Sequence, residues 1–337
     1  MKAARLHVPG SSLRIDDVAI PEVRRDEVLI RIAGCGVCHT DVHIRSGEFP
    51  LPPTWELPLT LGHENAGYVE ATGPDVTTLK AGDPVAVWGG RGCGSCRICR
   101  QGDEQCCNMG TWLQGGYAEF MHLPSQRFLL KLQGVDPVEA APLADAGLTP
   151  YRAIKKTLPY LYPGASVAVL GVGGLGHMAL QILEAIAPQA RVIAVDVSDE
   201  KLDMARELGA EYAVDARHDA AAEIVKLTDG EGVQAVIDLV GSDSTLRTAA
   251  AAAGRKSIVV VVGLAGGALP YSFFGVRAEC TVTCSYWGSY TDFEELLALA
   301  RQGVVRAKIQ KFSLDGVNDA LDLLAQGGIQ GRAVVTP

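Results

Sequence analysis

Five cysteines, Cys93, Cys96, Cys99, Cys106 and Cys107, crowd into one short stretch of this chain, and their spacing is that of a metal site. Cys93-x-x-Cys96-x-x-Cys99 followed by Cys107 offers four thiolates on a glycine-containing loop, a usual donor set for a closed tetrahedral zinc site. Cys106 is the spare, because adjacent side chains seldom point at one ion. A redox Cys-x-x-Cys pair and an iron–sulfur cluster compete for the same residues. Neither explains four cysteines in a loop far from the glycine motif of the chain.

That motif is Gly171-Val172-Gly173-Gly174-Leu175-Gly176, which fits G-x-G-x-x-G. The apolar run Ser166 to Leu170 precedes it, an Ala- and Leu-rich stretch to Ala187 comes after it, and Pro188 ends that stretch. Asp196 closes the next apolar run. A strand, a glycine turn, a helix and a distal acid form the fingerprint of a dinucleotide site. The glycines permit a tight turn and close approach to a pyrophosphate, the helix N-terminus faces the phosphates, and the acid accepts from the adenosine ribose hydroxyls. The charge of Asp196 would repel a 2′-phosphate, so NAD is favoured over NADP. Stripped of its flanks, the motif would be an ordinary glycine turn in an unliganded α/β domain.

Three further segments carry chemistry-bearing groups with no spacing that joins them. Cys38-His39-Thr40-Asp41-Val42-His43 offers a thiolate among polar groups, His63-Glu64 an imidazole beside a carboxylate, and Asp145 an acid just ahead of the glycine-motif region. Each has an ordinary reading alone: Cys38 as a small core residue, His63 as a satisfied turn histidine, Asp145 as a helix N-cap.

The elements that must position these groups fall into two styles. Residues 1 to 150 are rich in Gly, Pro and short alternating runs, with strands at Val28 to Ala33 and Gly67 to Ala71. From 151 to 287 apolar strands alternate with helices. Ser166 to Leu170, Arg191 to Asp196, Gln234 to Leu239 and Ser257 to Val262 read as buried parallel strands of a doubly wound α/β domain. Residues 288 to 337 leave that rhythm, with a helix near Phe293 to Arg301 and a closing strand at Ala333 to Val335, and read as a return to the first domain.

A chain of 337 residues favours two domains. Its formal charge of -9 argues against a nucleic-acid partner, which needs a basic face. No apolar run approaches the ~18–20 residues of a membrane span, and Met1 to Ile20 lacks the basic start and apolar stretch of a secretory signal. A cytoplasmic location is expected. An odd cysteine count, completed by Cys35, Cys280 and Cys284, disfavours a disulfide framework.

The motifs GVCHTD, LGHE with its downstream glycine, the four-cysteine loop and GVGGLG with Asp196 together resemble the medium-chain zinc alcohol dehydrogenase family, over nearly the whole chain. The resemblance implies an α/β fold: a Rossmann doubly wound parallel sheet at 151–287, plus a mainly β, GroES-like catalytic domain from 1–150 and 288–337. It implies two zinc ions per chain. Cys38, His63 and Asp145 would hold a catalytic one and Cys93, Cys96, Cys99 and Cys107 a structural one. Glu64 would lie near the catalytic metal and exchange with water as a ligand, and Asp41 would orient His63. Thr40 would bond the substrate hydroxyl and pass its proton to His43. Thr149 would contact the nicotinamide amide, Arg332 the pyrophosphate and Lys201 the adenosine ribose.

Many members of the family carry cysteine where this chain has Asp145. A Cys-His-Asp set is harder and leaves the metal more electrophilic. The implied reaction is reversible oxidation of a primary or secondary alcohol by NAD to an aldehyde or ketone, with Trp55, Trp112 and Trp287 available to a pocket. Alternatives are a polyol, threonine or other hydroxy-compound dehydrogenase, and a catalytically silent nucleotide-binding protein. A zinc-free quinone reductase of related architecture should lack the four-cysteine loop. The expected assembly is a homotetramer or dimer, with the strands between Ser257 and Cys284 as candidate edges.

Overall fold

The computed structural model describes residues 1–52, 55–269 and 271–337. The chain folds into two compact units, one of residues 1–146, 289–302 and 307–337, the other of residues 147–288 and 303–306. Among the described residues no helix is long and apolar enough to cross a membrane.

The first unit is built on a sheet whose long strands are rich in β-branched residues. Val28–Gly36 lies between Glu64–Thr72 and Arg332–Thr336, both antiparallel to it. Pro84–Val87 and Leu129–Lys131 extend the sheet on one side and Ile309–Ser313 on the other, while Phe120–Leu123 pairs with the first half of Val28–Gly36. Ile30, Val69, Val85, Val87 and Val335 are buried and make the core.

Register decides which strand ends coincide. Gly36 faces Glu64 and Cys35 faces Asn65, while Val334 faces Gly36 from the other side. The ends of three strands from distant parts of the chain therefore meet at one place. The helix Tyr290–Arg301 starts where the sequence S-Y-T-D predicts a cap: Ser289 Oγ accepts from the Asp292 N–H at 3.1 Å, and Asp292 Oδ2 accepts from the Ser289 N–H at 3.0 Å. It buries Phe293, Leu296 and Leu297.

The second unit is a six-stranded, all-parallel sheet in the order Tyr212–Asp215, Arg191–Asp196, Ser166–Leu170, Val233–Asp238, Ala253–Val261, Thr281–Cys284. This order reverses direction between the third and fourth strands, which puts the binding crevice of a doubly wound sheet at the carboxyl ends of those strands. The inner strands bury both faces, so they appear in the sequence as unbroken apolar runs. Two outer strands are less legible. Tyr212–Asp215 and Thr281–Cys284 are short, half-exposed edges with a mixed pattern.

The helix Gly176–Ile186 comes directly after the glycine turn. A Cβ on Gly176 would lie 2.1 Å from the Gly171 carbonyl oxygen, so a side chain there would push the helix off the strand. Gly176→Ala should lower the unfolding free energy by about 1–3 kcal/mol, the usual cost of forcing atoms into a packed contact. Denaturant unfolding of the full chain measures it, and an unchanged midpoint would show that the helix can retreat freely.

Candidate functional site

In the first unit, Cys38, His63, Glu64 and Asp145 bring one ligand atom each to within 4.8 Å of all the others. Local structure explains how each arrives. Cys38 leaves the Val28–Gly36 strand and stands at the N-cap position of the helix His39–Ser46. His63 immediately precedes the neighbouring strand, which Glu64 begins, and Asp145 comes after the 3-10 turn Ala141–Ala144. Asp145 is thus not a helix N-cap, since Gly147 holds that position for the helix Leu148–Thr157. Asp145 Oδ2 lies 3.6 Å from both Cys38 Sγ and His63 Nε2.

A further layer holds the histidine. Fully buried Asp41 places Oδ1 3.4 Å from His63 Nδ1. Its Oδ2 accepts from the Cys38 backbone N–H at 3.1 Å and from the Tyr117 hydroxyl at 2.9 Å. On the opposite side, Glu64 receives the Arg332 guanidinium, Nε donating to Oε2 at 3.0 Å and Nη2 to Oε1. Arg332 Nη2 also lies 3.7 Å from Asp145 Oδ2. Gly36 makes room for this pair: a Cβ there would sit 1.8 Å from Glu64 Oε2.

The electrostatics point to a cation. Burial pulls the His63 pKa down, but the Asp41 charge, then Asp145 and Cys38, lift it well above the ordinary histidine range. The acids around His63 thus favour positive charge at this place. A divalent cation, bound by the same sulfur, nitrogen and oxygen donors, would supply it in place of a proton. Burial pushes the Glu64 carboxyl above the usual carboxylate range, and the Arg332 charge opposes this.

The cysteine loop forms the second cluster, with Cys93, Cys96, Cys99 and Cys107 together and Cys106 exposed outside it. Sulfur–sulfur distances are 3.8 Å for Cys93–Cys99, 3.5 Å for Cys96–Cys99 and 3.9 Å for Cys96–Cys107. A tetrahedron with zinc–sulfur bonds of about 2.3 Å has edges of about 3.8 Å, so the four thiols already stand where such an ion needs them. Backbone N–H groups of Cys93, Cys96 and Cys99 point at the sulfurs of Cys107, Cys93 and Cys96. Hydrogen bonds, the Ser95 side chain first, bring the Cys93 thiol down to about 5, while burial pushes Cys99 up to about 12. Four crowded thiols cannot all ionise unaided. A shared cation would let them.

Thr40 approaches the first cluster, its Oγ1 3.6 Å from Cys38 Sγ. His43 lies on the same helix, half-exposed, with Nδ1 2.7 Å from Glu48 Oε2. Near His63 the rings of Phe49, Trp55 and Trp112 form an apolar wall, Trp112 lying 6.4 Å from the imidazole.

In the second unit the Gly171–Gly176 turn lies at the carboxyl end of the Ser166–Leu170 strand. The Gly171 N–H donates to the Val195 carbonyl at 2.8 Å, and that of Val172 to Asp196 Oδ2 at 2.7 Å. Asp196 Oδ1 accepts from the N–H groups of Val197 and Ser198. Gly173, Gly174 and Leu175 continue the turn into the helix, Lys201 stands early on the helix Asp199–Glu207, and Thr149 is buried on Leu148–Thr157. Trp287 is buried in this unit.

The structure thus gathers Cys38, His63, Glu64 and Asp145, adds Asp41 and Thr40, and turns Arg332 toward Glu64 and Asp145 rather than outward. The sequence pattern points neither to Tyr117 nor to the pairing of Glu64 with Arg332. No local motif announces either contact.

Residues 24–134 match the family model of the alcohol dehydrogenase GroES-like domain, and residues 174–302 that of the zinc-binding dehydrogenases. The chain is 39% identical to the NAD-dependent alcohol dehydrogenase of Sulfurisphaera tokodaii, covering 100% of both chains. It is 38% identical to the D-arabinose 1-dehydrogenase (NADP(+)) of Saccharolobus solfataricus, covering 100% of this chain and 97% of that one. The crystal structure of the alcohol dehydrogenase from Aeropyrum pernix superimposes with a TM-score of 0.93 at 43% identity, over 100% of both chains.

Removing one partner of a buried ion pair strands the other charge. Arg332→Met should therefore cost about 3–5 kcal/mol of stability, and adding Glu64→Gln should restore part of it. Denaturant unfolding of the single and double variants checks this. A single variant as stable as the double would show that the pair is not coupled.

Proposed function

The chain belongs to the zinc-containing medium-chain alcohol dehydrogenase family, and from that premise we propose that it catalyses reversible hydride transfer from a primary or secondary alcohol to NAD, giving an aldehyde or ketone. The observation that carries the reading is the convergence of Cys38, His63 and Asp145 beside the Thr40 hydroxyl.

Cys38, His63 and Asp145 would hold the catalytic zinc, and Cys93, Cys96, Cys99 and Cys107 the structural one. When bound, zinc supplies a Lewis acid that lowers the pKa of a hydroxyl, and NAD supplies the hydride acceptor. Asp41, fixed by the Cys38 N–H and the Tyr117 hydroxyl, would keep His63 in the tautomer that presents Nε2 to the metal. Glu64, held by Arg332, would be available as an exchanging ligand.

The Thr40 hydroxyl would take the proton of the alcohol while giving up its own, since a hydroxyl both donates and accepts. His43, half-exposed on the same helix, would carry the proton outward. The apolar wall of Phe49, Trp55 and Trp112 favours alcohols with an apolar substituent. The D-arabinose dehydrogenase among the relatives favours a second reading, a polyol or sugar substrate at the same site.

For NAD, the Gly171–Gly176 turn would receive the pyrophosphate and Asp196 the adenosine ribose, with Lys201 beside it. Thr149 would meet the nicotinamide amide. Arg332 pairs with Glu64 in the first unit.

None of the nine cysteines is in a disulfide, which suits a reducing compartment such as the cytoplasm. The net charge of -9 disfavours nucleic acid as a partner. A homodimer or homotetramer would cover two exposed features of the second unit. One is the Thr281–Cys284 edge strand, and the other is the pair Phe273 and Phe274, 88% and 93% exposed. Replacing both phenylalanines with aspartate should lower the assembly mass measured by light scattering, and an unchanged mass would move the interface elsewhere.

Thr40→Ala should lower turnover by about 10²-fold or more, the scale of a lost proton-transfer group, with NADH affinity retained. NADH absorbance over a panel of alcohols and polyols reads turnover and chooses between the substrate classes. Full activity in the variant would sink the relay. Metal analysis should find two zinc ions per chain. One ion would leave only one of the clusters filled, and none would defeat both assignments.

A further inference from the structure

At one edge of the second unit's sheet an arginine joins the exits of two neighbouring strands. The strands Arg191–Asp196 and Tyr212–Asp215 run parallel with Asp196 opposite Asp215, and the Ala216 N–H donates to the Asp196 carbonyl at 2.9 Å. The chain after Asp215 therefore leaves the sheet beside the chain after Asp196. Arg217 ties the two exits together. Its Nη2 lies 2.5 Å from Asp199 Oδ1 and 2.7 Å from Asp215 Oδ2, and its Nε lies 2.9 Å from each Asp215 oxygen.

In dinucleotide folds the acid at the end of the second strand selects the free ribose hydroxyl, and an arginine nearby accommodates a 2′-phosphate. This chain has both. Its acid is Asp196, and its arginine is taken up by two other carboxylates. Two carboxylates occupy the guanidinium and Asp196 ends the neighbouring strand, so acids outnumber Arg217 at these two strand exits, which disfavours a phosphate dianion. Hydrogen bonds from Arg217 hold the Asp215 carboxyl down to about 2.

The two acids are not equivalent. Asp215 ends a strand and also accepts from the Arg217 backbone N–H at 2.8 Å, so it shapes the turn. Asp199 begins the helix Asp199–Glu207, its side chain is 73% exposed, and it contributes a single contact to the guanidinium. Exposed ion pairs are weak. Asp199 therefore matters less as a structural tie than as a charge that both occupies Arg217 and repels phosphate.

We propose that Asp199 is a specificity-determining residue of the adenosine subsite: it keeps Arg217 from serving as a receptor for a 2′-phosphate and so holds the chain to NAD over NADP. The inference rests on the proposed use of NAD. It assigns to this protein an arginine beside the adenosine subsite that Asp215 positions and Asp199 helps to withhold from a 2′-phosphate.

The test is equilibrium binding of NADH and NADPH, tracked by nucleotide fluorescence, to the zinc-loaded full chain and its variants. The unaltered protein should prefer NADH. In Asp199→Asn the ratio of NADPH to NADH affinity should rise about tenfold, the scale of one new charge-assisted contact with repulsion relieved. In Asp199→Asn with Arg217→Gln the gain should vanish. An unchanged ratio in the single variant overturns the proposal, as does a gain that survives loss of Arg217. If the unaltered protein binds neither nucleotide, the NAD reading itself fails and the proposal falls with it. Circular dichroism of each variant establishes that a lost signal is not lost fold.

Discussion

Negative charge buried around His63 is the constraint on which much of the first unit depends. Cys38, Asp41 and Glu64, all buried, and half-buried Asp145 are brought together by strand ends and a helix start. Such a group is unstable without positive charge. Arg332 answers Glu64, and Asp41 and Asp145 raise the proton affinity of His63. The closing strand Arg332–Thr336 is therefore more than the last piece of a sheet, because it delivers the guanidinium that lets Glu64 be buried. Gly36 belongs to the same requirement, since any side chain there would meet the Glu64 carboxylate. A donor set this anionic and this enclosed is organised for a cation, and the proposed chemistry needs a cation there.

The cysteine loop solves a related problem by simpler means. Its four sulfurs stand at near-tetrahedral separations, supported by backbone N–H groups, within a segment that has little other core. The second unit holds no cluster of metal-ligating side chains among its described residues. Its sheet is closed by apolar packing, and its chemistry sits at the strand ends, where backbone N–H groups of the turn fix Asp196 and where Asp199 and Asp215 fix Arg217.

How much of this is legible in the sequence depends on distance along the chain. The four cysteines lie within one loop, and the glycine turn and Asp196 within one strand–helix–strand unit, so spacing alone carries those readings. Buried central strands such as Ser166–Leu170 are equally legible because both faces are apolar. The first cluster is not legible from spacing. Cys38 and Asp145 are 107 residues apart and Glu64 and Arg332 268 apart, and only family resemblance joins them. The resemblance gives Arg332 to a phosphate and is silent on its carboxylate partner. Tyr117 escapes because a tyrosine in a glycine-rich turn has no pattern that distinguishes a buried donor from packing. Edge strands such as Tyr212–Asp215 escape because half-exposed residues dilute the alternation.

The central claim is that the buried anionic cluster of the first unit is a zinc site separate from the cysteine loop. Anomalous diffraction at the zinc edge, from crystals of the full chain purified without chelator, tests it most directly. Two peaks per chain are expected, one among Cys38, His63 and Asp145 and one among Cys93, Cys96, Cys99 and Cys107. A zinc-replete protein with a peak only at the cysteines, or with the first peak lying away from His63 and Asp145, would contradict it.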